Sequence, residues 1–409
     1  MSASPVASAH FDPLSYRNDL KAFRAEVAAW LTAVVPLNWM DRVREGGEAG
    51  YLEFQRQWFD SLRAVGLHAA HWPREWGGNE LSLGAQVVLY EEFALANAPF
   101  TDMFTISLYH LPATLFAHGT AAQRERYLAG VRDRAEVWCQ GFSEPGAGSD
   151  LASLRTRAER QTRAGREVYV INGQKIWSSY GMFADYCLLL ARTDANAPKR
   201  QAGISYFILD MKTKGITVRP IRQITGESEF AEIFLDEVEI PAENLIGAEN
   251  DGWRIAQSTL TAERGILTFE YGLRLRYAIA RDVLRGKDTW LRDPALAREF
   301  STFYPRARAL NLLIRRMLAE IEADPHEGGS ELATYIKLYW GTLLQDYNGF
   351  LVRAGGLEAQ FLTRPVRCGG LTTGDYMYDF LKSYSWTIAG GSSEIMRNVI
   401  AERFLGLPR

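Results

Sequence analysis

The spacing of apolar residues changes twice along the chain, and this limits the fold more than any single motif. Over 19–35, Leu20, Phe23, Val27, Leu31 and Val34 recur at three- and four-residue intervals, the period of a helix with one buried face. Leu52, Phe59, Leu62 and Val65 repeat it over 51–65, and 81–96 and 103–118 resume it after a loop carrying Trp72-Pro73 and Trp76-Gly77-Gly78. Gly119-Thr120 stops one helix and starts the next, with Thr120 as N-cap for 121–128. From residue 168 the period is that of strands. Val168-Tyr169-Val170-Ile171 and Gln174-Lys175-Ile176-Trp177 flank Asn172-Gly173, the strongest short signal for a β-hairpin. Further strands are expected at 187–191, 204–209, 216–221 and 231–240, the last ended by Pro241. Helical spacing returns over 252–286, 300–323, 332–357 and 373–384. The chain therefore reads as α+β: an N-terminal α-helical domain (1–137), a middle antiparallel β-barrel or sandwich domain (138–246) and a C-terminal four-helix bundle (247–409).

Composition narrows the function classes. A hydrophobic share of 47% and a charged share of 23% over 409 residues are ordinary for a globular protein with a large core. A net charge of −3 argues against a nucleic-acid partner, because phosphate contact needs clustered positive charge. Cys139, Cys187 and Cys368 lack metal-ligand spacing and read as buried free thiols of a reducing, cytoplasmic setting; no metal is expected. Residues 1–10 are small and polar, without the basic lead and apolar run of a signal peptide, and no stretch reaches the length of a membrane span. His110 and His118 lie on or beside apolar helix faces and read as packing or capping residues.

Three stretches carry the chemistry. Ser143-Glu144-Pro145-Gly146-Ala147-Gly148-Ser149-Asp150 follows the apolar Trp138-Cys139-Gln140-Gly141-Phe142; its glycines and proline exclude a helix or strand interior. It is either a surface turn before an Asp-capped helix or a loop whose backbone meets a ligand. In Ile176-Trp177-Ser178-Ser179, Trp177 is either a core residue or a flat wall for a planar ring, and strand alternation puts Ser179 on the same side. Gly390-Gly391-Ser392-Ser393 precedes a helix over 394–404; it is either a plain capped start or a cradle for phosphate.

Taken together, these stretches resemble the acyl-CoA dehydrogenase family of flavoproteins, from about Leu20 to Arg409. The ending Glu394-Ile395-Met396-Arg397, then Ala401-Glu402-Arg403 and Leu405-Gly406-Leu407-Pro408-Arg409, resembles a bacterial branch whose members act on bulky or ring-bearing acyl-CoAs, such as steroid or terpenoid breakdown products. The resemblance implies FAD as cofactor, an acyl-CoA substrate, an electron-transfer flavoprotein as acceptor, and a homodimer, homotetramer or heteromer with a related chain. It places Trp177 on the flavin ring, Ser179 near the ring's N5 and Phe142 and Ser143 on its pyrimidine side. Ser149 would hold the CoA chain, Ser392 and Glu394 would contact FAD, and Arg264 would lie on the substrate side.

Two departures shape the mechanism. Better-known members carry the catalytic base as a Glu where this chain has Gly390; a minority place it before an Arg on the first helix of the C-terminal bundle, which here is Glu263-Arg264. Any helical Glu is by default a solvated surface residue, but the missing side chain at 390 makes Glu263 the candidate base. By the resemblance, the Gly390 N–H still serves as a donor to the thioester oxygen. The Arg-x-x-Phe-Gly signature that reaches a neighbouring subunit's FAD is absent near 285–290, so another basic residue replaces it or FAD is held less tightly. The function expected is α,β-dehydrogenation of an acyl-CoA to the trans-2-enoyl-CoA. The alternatives are a flavin monooxygenase or nitroalkane-type oxidase on the same fold, or a subunit of a heteromeric acyl-CoA dehydrogenase.

Overall fold

The computed structural model describes residues 19–263, 266–323, 331–362 and 373–408, with backbone alone for 261–263 and 266–267. In chain order the helices are α1 (Leu20–Val34), α2 (Trp39–Ala64), α3 (Leu83–Leu95), α4 (Leu111–His118), α5 (Ala121–Arg134), α6 (Gly252–Glu263), α7 (Ile266–Gly286), α8 (Pro294–Ser301), α9 (Phe303–Ala323), α10 (Leu332–Ala354), α11 (Tyr376–Ser383) and α12 (Ser393–Val399). The strands are β1 (Trp138–Gly141), β2 (Arg157–Arg163), β3 (Arg166–Ser179), β4 (Tyr186–Arg192), β5 (Ile204–Asp210), β6 (Ile216–Ile221), β7 (Phe230–Pro241) and β8 (Leu245–Ile246). The order helical, β, helical agrees with the spacing of apolar residues.

The chain divides into two compact units, residues 1–101 with 264–409, and residues 102–263. In the first, the two ends of the chain share one core. Phe23, Val27 and Leu31 of α1 and Leu89 and Phe93 of α3 belong to the same buried cluster as Phe269 and Leu273 of α7, Leu310 and Ile314 of α9, and Leu343 and Tyr347 of α10. Helices α7, α9, α10 and the short α11 form the four-helix group. Arg24 of α1 and Arg315 of α9 both bond the Glu91 carboxylate on α3, so charge as well as apolar surface joins the early helices to the late ones.

In the second unit, Thr120 opens α5 with a full capping box: its hydroxyl accepts from the Gln123 N–H, and the Gln123 side chain accepts from the Thr120 N–H. The eight strands form one sheet in the order β6-β7-β3-β2-β4-β5-β8, with β1 added beside β4. The sheet is mainly antiparallel, but β1 and β2 each pair parallel to β4, and it does not close. Cys139 and Cys187 face each other across β1 and β4, buried and unbridged; Cys368 and residues 1–18 lie outside the described residues. His110 is buried with Nδ1 3.3 Å from the Gln140 amide, and His118 ends α4 with Nε2 3.0 Å from the Ser258 hydroxyl, in keeping with packing and capping roles.

The hairpin expected at Asn172-Gly173 is not there. Both residues lie inside the continuous strand β3, at a register shift against β7. The turn lies earlier, at Ala164-Gly165, with φ of 50° and 75°, joining Arg163 of β2 to Arg166 of β3. Two central residues with positive φ make the tight turn whose twist suits a hairpin. Asn172 instead clasps Glu237 of β7: its amide donates to the carboxylate at 2.7 Å and its carbonyl accepts the Glu237 N–H at 2.9 Å. Gly173 is glycine because a Cβ there would lie 2.7 Å from Cα of Thr156.

These contacts separate two glycines by cost. Gly165→Ala meets open space and only the left-handed backbone penalty, about 1 kcal/mol. Gly173→Ala must push the 156 backbone away and loses about 2–3 kcal/mol. Denaturant unfolding should rank the two in that order.

Candidate functional site

The 142–149 loop is built around a buried ion pair. Lys175 of β3 is fully buried, and its ammonium donates to the Glu144 carboxylate at 2.8 Å and to the Phe142 carbonyl at 3.2 Å. The same carboxylate accepts the backbone N–H groups of Arg155 at 2.6 Å and Thr156 at 2.8 Å. One residue along, the Ser143 carbonyl accepts the Ile176 N–H at 2.9 Å, and Glu144 and Ala147 exchange backbone hydrogen bonds across the turn. Burial alone would raise the Glu144 carboxyl, but Lys175 and the donors of Thr156 and Arg155 hold it below its ordinary value. Burial lowers the Lys175 ammonium, and Glu144 opposes that fall. The loop is thus pinned from beneath, through its carbonyls and its carboxylate.

Its upper side stays open. A Cβ at Gly146 or Gly148 would meet nothing within 4 Å, so a ligand can approach that backbone. Ser143 is half-buried and Ser149 exposed, and among the described residues no hydrogen bond ties either hydroxyl to the protein. Asp150 makes no side-chain capping bond to the short helical turn Leu151–Ser153; it pairs with exposed Arg200 at 3.3 Å.

Trp177 and Ser179 flank the buried Ser178, as alternation requires, and the break in alternation lies just before them. The register runs Lys175 opposite Ile233 and Ser178 opposite Ala231, so β3 takes three steps where β7 takes two. This bulge turns Lys175 and Ser178 both inward and carries Trp177 at φ 63°, unusual for a side chain of its bulk. Ser179 pairs with Phe230, whose ring meets the Trp177 ring edge-on at 6.0 Å. Trp177 is 55% exposed, so it is not a core tryptophan. Unbroken alternation would have put Lys175 on the Trp177 side and left Glu144 without its partner.

Phe142, Ser143, Ser149, Trp177 and Ser179 therefore belong to one β unit, as does α6, which ends at Glu263. Thr259, one turn earlier on α6, is buried and bonds Thr114 of α4 at 2.7 Å. The Glu263 side chain and all of Arg264 lie outside the described residues. Gly390, Ser392 and Glu394 belong to the helical unit. Gly390 and Gly391 have φ of 65° and 93°, and Ser392 caps α12 by accepting the Ile395 N–H at 3.3 Å. Glu394 is exposed, and its carboxyl is held below its ordinary value by its own backbone N–H and the Ser392 hydroxyl first. A short irregular turn, Ile400–Phe404, continues α12. In the last turn of α7, Arg285 pairs with Asp282 at 3.1 Å.

The donor set suits a flavin: a broad exposed aromatic face, hydroxyls without protein partners beside it, and a backbone open to close approach. Residues that sequence reasoning passed over are Lys175, Phe230 and Lys337, the last donating from α10 to the Gly391 carbonyl. Lys175 had one visible signal, a lone cation within an otherwise apolar and neutral strand pattern.

Family models describe three successive parts of the chain: the acyl-CoA dehydrogenase N-terminal domain over residues 17–134, middle domain over 139–238 and C-terminal domain over 250–405. Acyl-CoA dehydrogenase IpdE1 of Mycobacterium tuberculosis is 39% identical over 403 residues, 96% of this chain and 98% of its own. Among solved structures, the Tcur3481-Tcur3483 steroid ACAD superposes with a TM-score of 0.81 at 30% identity, covering 95% of this chain and 98% of that one. The ChsE4-ChsE5 complex of Mycobacterium tuberculosis gives 0.77 at 26% identity, covering 100% and 99%.

Breaking the buried pair on one side should be costly and on both sides less so. Lys175→Met strands the Glu144 charge and should cost about 3–5 kcal/mol; adding Glu144→Gln should return part of it. Because the folded Glu144 carboxyl is depressed, its contribution is complete above its ordinary pKa of 4.5 and is lost as pH falls through the lower folded value. Glu144→Gln should flatten the acid limb of stability against pH, measured by denaturant unfolding at stepped pH.

Proposed function

The chain belongs to the acyl-CoA dehydrogenase family, and from that premise we propose which residues of this oxidoreductase do the work and on what substrate. The reaction is α,β-dehydrogenation of an acyl-CoA thioester to the trans-2-enoyl-CoA. The observation that carries the site assignment is Trp177, an aromatic face exposed on a bulged strand beside a loop pinned from below. A bound FAD would supply the hydride-accepting chemistry that the substrate's β-carbon needs.

The rest falls to this chain's own groups. Trp177 would stack on the flavin ring, Ser179 would offer its hydroxyl near the ring's N5, and Phe142 and Ser143 would line the pyrimidine side. Ser392 and Glu394 hold the cofactor from the helical unit. Ser149 orients the CoA chain, with Arg264 on the substrate side. The Gly390 N–H donates to the thioester oxygen, and Glu263, ending α6, takes the α-proton. That proton is a weak acid, so the base must be a carboxylate in a site that excludes water, and the oxygen must be polarised as enolate charge develops. The three segments 1–137, 138–246 and 247–409 are the proposed domains.

The substrate class we propose is a bulky, ring-bearing acyl-CoA. A structural neighbour titled a steroid ACAD at 30% identity, and a glycine at 390 where a larger side chain would take space, support it. An electron-transfer flavoprotein is the proposed acceptor. Val283, Leu284, Leu312 and Ile388 are exposed apolar residues on the helical unit and support assembly with a second chain, identical or related. Among the described residues no helix is long and apolar enough to cross a membrane.

Substrate bleaching of the flavin absorbance tests the assignment. A panel of straight-chain, branched, cyclohexanecarbonyl and steroid side-chain CoA thioesters should bleach the protein, ring-bearing members fastest. Glu263→Gln should keep its flavin and slow bleaching about a hundredfold or more. Full-rate bleaching by that variant would remove Glu263 from the mechanism.

A further inference from the structure

The turn at Gly390-Gly391 poses a mechanical problem. Both residues lie in the left-handed region, with φ of 65° and 93°, and consecutive glycines are the most mobile backbone a chain can offer. A Cβ at Gly390 would find no heavy atom within 4 Å, and the residue is exposed. Yet a backbone donor is useful in catalysis only if its direction is set before charge develops on the substrate.

One hold on the turn comes from α10. Lys337 stands between Ile336 and Trp340, both buried, and its ammonium donates to the Gly391 carbonyl. The other restraints sit on either side. The Ala389 N–H bonds the Ser385 carbonyl at 2.8 Å, and the Ser392 hydroxyl caps α12. Gly391 itself lies against Met396, where a Cβ would come within 2.4 Å of the methionine methyl carbon. Lys337 therefore supplies a charge-assisted bond to the middle of the turn. Its charge is also felt along the turn, adding to the groups that depress the Glu394 carboxyl.

We propose that Lys337 is a positioning residue for the reaction: by clamping the Gly391 carbonyl it fixes the Gly390-Gly391 turn, so that the Gly390 amide is aimed at the thioester oxygen, and it adds positive potential where enolate charge forms. The proposal rests on the assignment of the Gly390 N–H to that oxygen. It accounts for a feature of the chain that the assignment alone does not, namely how a turn made of two glycines can be an organised donor.

The test uses the full-length holoprotein as Lys337→Met and Lys337→Arg beside the parent. Each protein is titrated with the fastest acyl-CoA of the panel above and with the matching alkyl-CoA thioether, in which a methylene replaces the carbonyl. Flavin content, binding and the rate of bleaching are followed. Lys337→Met should keep its flavin, bleach about tenfold to a hundredfold more slowly and lose the parent's tighter binding of thioester over thioether; Lys337→Arg should retain most of both. Backbone hydrogen exchange over residues 385–396 should rise at least about tenfold in Lys337→Met, without a matching rise in the β unit. A Lys337→Met protein that still prefers the thioester as strongly as the parent overturns the proposal and leaves the Gly390 assignment standing. A parent with no such preference removes the Gly390 assignment itself. If no panel member bleaches the flavin, unchanged exchange over 385–396 overturns the clamp on its own. If Lys337→Met does not fold, Lys337→Gln takes its place, with the same preference and exchange deciding.

Discussion

The candidate site depends on one buried ion pair. Glu144 and Lys175 are almost completely shielded from water, where neither charge would persist alone. Together they satisfy each other, two backbone N–H groups and the Phe142 carbonyl. The effect is to fix a glycine-containing loop without covering it. Its lower side is bonded to β3 and to the chain entering β2, and its upper side remains open to a ligand. A purely apolar core beneath the loop would pack as well, but it would leave the carbonyl of Phe142 and the N–H groups of Arg155 and Thr156 unpaired.

The same pair accounts for the bulge. Lys175 has to point inward to meet Glu144, whereas Trp177, two residues on, has to point outward for any role at the surface. An unbroken strand puts residues two apart on the same side. One extra residue and a left-handed backbone at Trp177 separate the two demands. The strained tryptophan is the local cost of having a buried cation and an exposed aromatic so close together.

Much of this was legible from sequence, and the failures have physical causes. Helical spacing in the first and last thirds was clear where a helix buries one stripe, as Phe23, Val27 and Leu31 do on α1. The Asn172-Gly173 pair misled because it meets the local rule for a turn, while its actual use is long-range: Gly173 admits the Thr156 backbone and Asn172 clasps Glu237. β2 was missed because its sequence, Arg157 to Arg163, keeps only Ala158 buried and so carries almost no apolar period. No local pattern could show that helices from opposite ends of the chain share one core, since α1 and α3 pack with α7, α9 and α10 across 170 or more intervening residues. Among the proposed site residues, Trp177 and the 142–149 loop were legible through motif and glycine content, whereas Lys337 looked like one more cation on a mostly apolar helix.

A division of labour follows from where side chains are missing. At Gly390 the chain keeps a backbone group and gives up a side chain, so whatever acts there acts through the peptide. A peptide N–H needs no pKa tuning, but its direction is only as good as the restraint on its turn, and glycine weakens that restraint. A carboxylate base has the opposite requirements: its direction is set by a helix, but its proton affinity depends on its surroundings. In the proposed assignment the acid belongs to a helix end and the oxygen's donor to a backbone turn, so each task goes to the kind of element that suits it, and the bond from Lys337 to the Gly391 carbonyl is one restraint on that turn.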